Sequence, residues 1–73
     1  MLAYLRGQIL HRHPPWVILE VQGVGYQVSI PSHLHLPADT PVELYCSLQV
    51  REESQTLYGF ASLWERAFFE LLL

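Results

Sequence analysis

The feature that most constrains the fold is a set of short segments in which apolar and polar residues alternate. Between Val42 and Val50 every second residue is apolar, and the positions between them are mostly polar. A side-chain period of two is typical of a strand with one face on a core and the other toward water. The predicted strands are residues 3–10, 16–21, 25–30, 42–50 and 56–60. The segment 16–21 is apolar on both faces, which predicts a strand covered on both sides.

The connections between these segments carry the residues that interrupt strands. His11–Pro15 ends in two prolines, which lack the backbone N–H that a sheet requires, and Gln22-Gly23 suits a tight turn. The polar connector Pro31–Pro41 is long enough for one helical turn, and Arg51–Gln55 forms a charged tip. Five short strands at this spacing favour a small closed barrel, because an open sheet would expose its edges. The pattern leaves the strand order open.

The period changes after residue 61. Ser62 and Glu65 have the spacing of a capping box, and Leu63, Ala67 and Leu71 then recur at helical intervals. The chain ends in three leucines without a C-cap signal, which suggests a piece of a longer protein. We therefore predict a mainly β fold, with a five-stranded barrel over residues 1–61 and the start of a helix over residues 62–73.

Composition excludes several classes of protein. No apolar run reaches the length of a membrane span, and the N-terminus lacks the pattern of a signal peptide. The only cysteine, Cys46, excludes a disulfide framework and a zinc site of the CxxC type, and favours a reducing, cytoplasmic location. The net charge is −3, with four arginines and no lysine. This is the wrong sign for a domain that grips phosphates by itself.

The candidate metal and nucleophile residues have ordinary structural explanations. The pairs His11/His13 and His33/His35 have the i, i+2 spacing that suits two imidazoles on one metal. Both pairs lie in proline-rich connectors, so we expect exposed loop histidines whose role the sequence leaves open. Cys46 lies between two inward leucines, which predicts a buried, inert thiol.

No catalytic grouping or phosphate loop is present in the sequence. The carboxylates Glu20, Glu43, Glu65 and Glu70 are expected on solvated faces and in the first turn of a helix. The tyrosines, Trp16 and Phe60 permit stacking of single-stranded bases, but the basic groove that such binding needs is missing, so core or interface positions are expected. By itself, the pair Glu52-Glu53 at the hairpin tip is expected to be a solubilising turn.

Four stretches of the sequence carry a family resemblance, and in order they span nearly the whole length of the chain. They are Tyr4–Gly7, Val21–Tyr26, Val50–Phe60 and Glu65–Leu72. The chain resembles the N-terminal domain of RuvA, the bacterial family that binds Holliday junctions. The resemblance implies an OB-fold, a tetramer with fourfold symmetry, and a non-catalytic role without cofactor or metal in DNA recombination and repair.

The resemblance also assigns roles to particular residues. Glu52 and Glu53 occupy the position of an acidic pin that projects toward the crossover of the DNA junction, and Arg51 is an adjacent candidate DNA contact. A following domain of helix-hairpin-helix motifs, which grips phosphates, and a third domain, which recruits the RuvB helicase, are expected beyond Leu73. The alternative is a free-standing OB-type adaptor that binds single-stranded nucleic acid or protein. The two hypotheses differ in whether the gene continues past Leu73.

Overall fold

The computed structural model describes residues 3–37 and 39–73 of the chain. The predicted strands and the terminal helix are confirmed, with boundaries that shift by a few residues. The elements are β1 (Tyr4–His13), β2 (Trp16–Val21), β3 (Val24–Ser29), β4 (Val42–Arg51), β5 (Ser54–Phe60) and α1 (Leu63–Leu71).

The five strands close into a barrel in the order β1-β2-β3-β5-β4. All neighbouring strands are antiparallel except β3 and β5, which run parallel and pair through Ser29 and Tyr58. The barrel closes between β1 and β4, where Tyr4 lies opposite Tyr45. The mainly β, OB-like barrel expected from the sequence is therefore confirmed.

β1 pairs with two neighbours, and one glycine makes this possible. Its first half pairs with β4 and its second half with β2, with a register shift between Ile9 and His11. Such a bulge bends the strand and increases its twist. A Cβ atom on Gly7 would lie 2.1 Å from the carbonyl oxygen of Glu20. Glycine is therefore required for the close approach of β1 to β2.

The core is built from the inward faces of all five strands. Leu19 and Leu44 are fully buried at its centre. The buried cluster consists of Leu5, Val17, Leu19, Val28, Val42, Leu44, Cys46 and Leu57. The expectation that both faces of β2 are covered is confirmed in part: the inward Val17 and Leu19 are buried, and the outward Trp16 and Ile18 are half-buried. The barrel has one interior, and alternate residues of a strand point away from it.

α1 begins as the capping box predicts. Ser62 has an extended backbone, and its hydroxyl accepts a hydrogen bond from the Glu65 N–H at 3.2 Å. The helix has nine residues, and no helix in the described part of the chain is long and apolar enough to cross a membrane.

Aromatic and polar contacts hold α1 on the barrel. The ring of Phe69 packs against Tyr58 and Phe60, with centroids 4.8 and 5.0 Å apart. The hydroxyl of Ser47, a buried residue on β4, donates to the carboxylate of Glu70 at 2.8 Å. The helix therefore covers β4 and β5 on their outer side.

The connections between strands agree with the sequence-based predictions to different degrees. Gln22 and Gly23 both have positive φ angles, 50° and 89°, so the predicted tight turn between β2 and β3 is confirmed. The connector 31–41 contains a turn closed by a hydrogen bond from the Leu34 N–H to the Pro31 carbonyl oxygen at 3.1 Å, but no helix in its described residues, 31–37 and 39–41. Instead, Leu34 and Leu36 pack against the core from this connector. Residue 38 lies outside the described residues.

Candidate nucleic-acid interface

The hairpin of β4 and β5 extends beyond the rest of the barrel. Pairing between the two strands continues to Arg51 and Ser54, whereas β1 reaches β4 only as far as Tyr45 and the Cys46 N–H. On the other side, β3 pairs with β5 at Tyr58. Past these points, among residues 3–37 and 39–73, the two strands have only each other as strand neighbours. With a rise of about 3.4 Å per residue, the tip lies roughly 15 Å beyond the last supported pair.

The exposure of side chains along β4 marks where the hairpin leaves the core. Cys46 is 1% exposed, whereas Val50, on the same strand face, is 62% exposed. Glu52 and Glu53 form the two-residue turn at the end, and both are exposed, as is Arg51. We call residues 49–55 the acidic arm.

The charges of the acidic arm are free of local partners. Among residues 3–37 and 39–73, neither Glu52 nor Glu53 takes part in an ion pair or a side-chain hydrogen bond, and the same holds for Arg51. Two adjacent unpaired carboxylates create a negative field that extends about 8–10 Å at physiological salt. Such a tip repels nearby phosphates.

Three of the four glutamates expected on solvated faces or in the helix first turn also have polar partners. The carboxylate of Glu20 accepts a hydrogen bond from the Gly23 N–H at 2.6 Å. Glu70 accepts from Ser47, and Glu65 lies 3.8 Å from the imidazole of His33. Glu70 is exposed and Glu65 lies in the first turn of α1, as expected, whereas Glu20 is half-buried. Glu43 is exposed, as expected.

The histidine pairs separate into two environments. His11 and His13 belong to β1, so their expected position in a loop is wrong: Pro14 and Pro15 suffice for the turn, and His13 pairs with Trp16. His33 and His35 are exposed in the connector, as expected. Groups of three or more metal-binding side chains are absent from the described residues.

The prediction of a buried, inert thiol at Cys46 is confirmed. Burial raises the pKa of Cys46 to about 11, so the nucleophilic thiolate is scarce at neutral pH. Most of the aromatic side chains lie in packed or paired positions; for example, Tyr4 and Tyr45 form a cross-strand pair with ring centroids 5.4 Å apart.

The alternation pattern does not predict the structural role of Ser47. Its position in β4 predicts an outward, solvated side chain, yet it is 1% exposed because α1 covers it. It also accepts a hydrogen bond from the amide of Gln49 at 2.7 Å. Ser47 therefore links the helix to the base of the acidic arm. A small polar residue on a strand face that a helix must cover is the only local signal of this role.

The chain is similar to proteins of known family. The model of the RuvA N terminal domain matches residues 1–59. A relative from Christiangramia forsetii is 41% identical, one from Trichlorobacter lovleyi 45%, and one from Symbiobacterium thermophilum 46%. Each is named Holliday junction branch migration complex subunit RuvA, and each matches the whole of this chain. The chain spans 37–39% of the length of these relatives.

Proposed function

The chain belongs to the RuvA N-terminal domain family, and from this premise we propose that it is the tetramerising, junction-shaping module of a Holliday junction branch migration subunit. The relatives are named for that complex, and they match the chain from end to end. A family match of this extent favours the module over a free-standing adaptor. The proposed role is non-catalytic, and its setting is the bacterial cytoplasm, where chromosomal DNA recombines.

The observation that carries the proposal is the acidic arm. Glu52 and Glu53 lie at the end of a projecting hairpin and have no local partner among the described residues. In a fourfold assembly with the arms at the axis, eight carboxylates would face the centre of the junction. Phosphates that come within about 10 Å of them are repelled. The arms therefore keep the crossover open and disfavour uninterrupted duplex at the centre, without breaking a bond.

Attraction to DNA must come mainly from elsewhere in the protein. The net charge of −3 gives this chain little capacity to release counterions from DNA. Arg51, next to the acidic pair, is a candidate contact to a phosphate beside the crossover. We assign the main grip to a second domain of helix-hairpin-helix motifs, into which residues 62–73 lead, and the contact with a RuvB-type motor to a third domain.

Self-association is supported by apolar surface on α1. Trp64 is 85% exposed and Leu71 is 82% exposed, and Phe68 lies between them on the helix, also exposed. Large exposed apolar surfaces of this kind are typical of interaction sites. We expect association of the 73-residue chain in light-scattering measurements over a concentration series, and a monomer at high micromolar concentration contradicts that expectation.

The test of the acidic arm uses a chimaera in which this chain replaces the matching segment of the Trichlorobacter lovleyi relative. Glu52→Gln with Glu53→Gln should tighten binding to both four-way and linear duplex DNA, and more so to the linear duplex. Affinities are measured by gel shift at two salt concentrations, because screening shrinks an electrostatic effect.

A matched control removes two negative charges away from the tip. Asp39→Asn with Glu43→Gln changes exposed residues that lie outside the acidic arm. This control should leave the preference for junction over duplex unchanged. If the tip variant and the control behave alike, the acidic pair contributes only net charge and the pin role is wrong.

A further inference from the structure

The β1–β2 end of the barrel carries aromatic rings that the core does not use. Trp16 is absent from the core cluster and from the apolar side chains packed against it. The ring of His13 stacks on Trp16 with centroids 4.8 Å apart and an interplanar angle of 12°. His11 extends the group, 6.0 Å from Trp16. Both histidines are exposed, so the rings form a platform at the surface.

A cavity of about 170 Å³ adjoins this platform. Trp16, Pro14 and Leu34 supply part of its apolar wall, and Arg12 and His35 supply polar groups. The guanidinium of Arg12 donates to the carbonyl oxygen of Leu36, which fixes its position. A guanidinium has five N–H donors, so others remain for a ligand. None of the residues that line the cavity is acidic.

The histidine rings are arranged for stacking and not for metal binding. The centroids of His11 and His13 are 6.5 Å apart, and the planes are inclined by only 30°. Two imidazoles on one tetrahedral ion point their nitrogens at a shared centre about 2 Å from each. Rings that face one another do not converge in this way.

We propose that this end of the barrel binds an unpaired DNA base, which stacks against the Trp16–His13 platform while Arg12 and His35 contact its phosphate or its polar edge. Every base has a flat π-face, so stacking on an aromatic side chain needs no particular sequence. The positive and neutral groups at the site also complement the charge of a nucleotide, unlike the acidic arm. Because β1 and β4 are antiparallel, the site and the acidic arm lie toward opposite ends of the strands.

The proposed base-binding site is separate from the acidic arm, and it does not depend on the role of Glu52 and Glu53. A purely structural alternative is that His13 and Trp16 form a cross-strand pair that only stabilises the hairpin. That alternative predicts a loss of stability on substitution but no effect of DNA on the rings. The two explanations therefore differ in a direct binding measurement.

The experiment uses the 73-residue chain with Trp64→Phe, which leaves Trp16 as the only tryptophan. A single-stranded oligothymidylate should quench the Trp16 fluorescence at low salt. An oligonucleotide of equal length with abasic sites keeps the phosphates and should quench weakly. Equal quenching by both, or none by either, overturns the proposal.

Two substitutions and one control locate the site. Trp16→Leu should weaken binding of a labelled oligothymidylate by roughly tenfold in fluorescence anisotropy. His13→Ala, at an exposed position, should weaken it by a few-fold and remains decisive if Trp16→Leu fails to fold by circular dichroism. Tyr4→Leu removes an exposed ring at the other end of β1 and should leave the affinity unchanged. Equal weakening by Tyr4→Leu and His13→Ala overturns the assignment to this end of the barrel.

Discussion

Two hairpins of the barrel, β1–β2 and β4–β5, end in opposite ways. At the β1–β2 end, the connector after β3 packs alongside: the Ile30 N–H donates to the Pro15 carbonyl oxygen at 2.9 Å, and Arg12 binds the Leu36 carbonyl. At the β4–β5 end, the residues of both strands nearest the turn pair only with each other within the described part of the chain. The first end is aromatic and basic, whereas the second is acidic.

This difference shows that packing by neighbouring elements decides which kind of interaction a surface can make. Rings that are held by packing are ordered before a ligand arrives, which suits contacts of short range such as stacking. Charges at an uncovered tip are poorly suited to precise contacts, but their field acts over several ångströms of solvent. The barrel therefore has an ordered site for stacking at one end and, at the other, an acidic tip that repels phosphates.

The largest expected effect is on the free energy of unfolding, and it tests how closely β1 and β5 are packed in the barrel. Gly7→Ala places a Cβ 2.1 Å from a backbone oxygen of β2, which cannot move without separating β1 from β2. We expect a loss of about 3 kcal/mol or more in the free energy of unfolding, measured by urea denaturation.

The matched variant is Gly59→Ala in β5. Its Cβ would meet side chains, with Val28 Cγ1 at 2.6 Å and Leu44 Cδ1 at 3.1 Å. Side chains adjust more easily than a paired backbone, so the expected loss is about 1–3 kcal/mol. A smaller loss for Gly7→Ala than for Gly59→Ala contradicts the view that backbone contact makes β1 the more constrained strand.

A second prediction locates the boundary between the covered and uncovered parts of β4. Burial raises the pKa of the Cys46 thiol to about 11 from an ordinary value near 9. Since the neutral form is favoured in the folded state, its stabilisation is complete below pH 9 and is lost as the pH rises toward 11. We expect a fall on the order of 2 kcal/mol over that range, absent in Cys46→Ala.

The comparison position for this measurement is Val50. In the variant Cys46→Ala with Val50→Cys, the new thiol lies on the exposed part of the same strand face. It should titrate near the ordinary value in ultraviolet absorbance and react rapidly with a disulfide reagent at neutral pH. A slow reaction of the thiol at position 50 would show that the acidic arm is buried, which contradicts the prediction.

The smallest expected effect concerns the base of the acidic arm and its tip. Ser47→Ala removes hydrogen bonds to Glu70 and Gln49, and it should cost about 1 kcal/mol in thermal or urea unfolding. Ser54→Ala, at the exposed end of the same hairpin, should change stability by less than about 0.5 kcal/mol. Equal costs for the two serines contradict the link between α1 and the arm.

Much of the fold could be predicted because its signals are local. The alternation in 42–50, the Gln22-Gly23 turn and the Ser62 cap each depend on a few neighbouring residues, and all three are confirmed. The position of Glu52 and Glu53 at a hairpin tip follows from the same local pattern. Their function does not, since it depends on what approaches the tip.

The sequence by itself determined the strands, the helix start and the acidic turn. Only the tertiary structure decided the strand order, the covering of Ser47 by α1, and the neighbours of Trp16. Backbone periodicity and capping act within one turn or one strand, so the sequence displays them directly. Barrel closure joins residues such as Tyr4 and Tyr45, which lie far apart along the chain, and depends on how all five strands pack around one core.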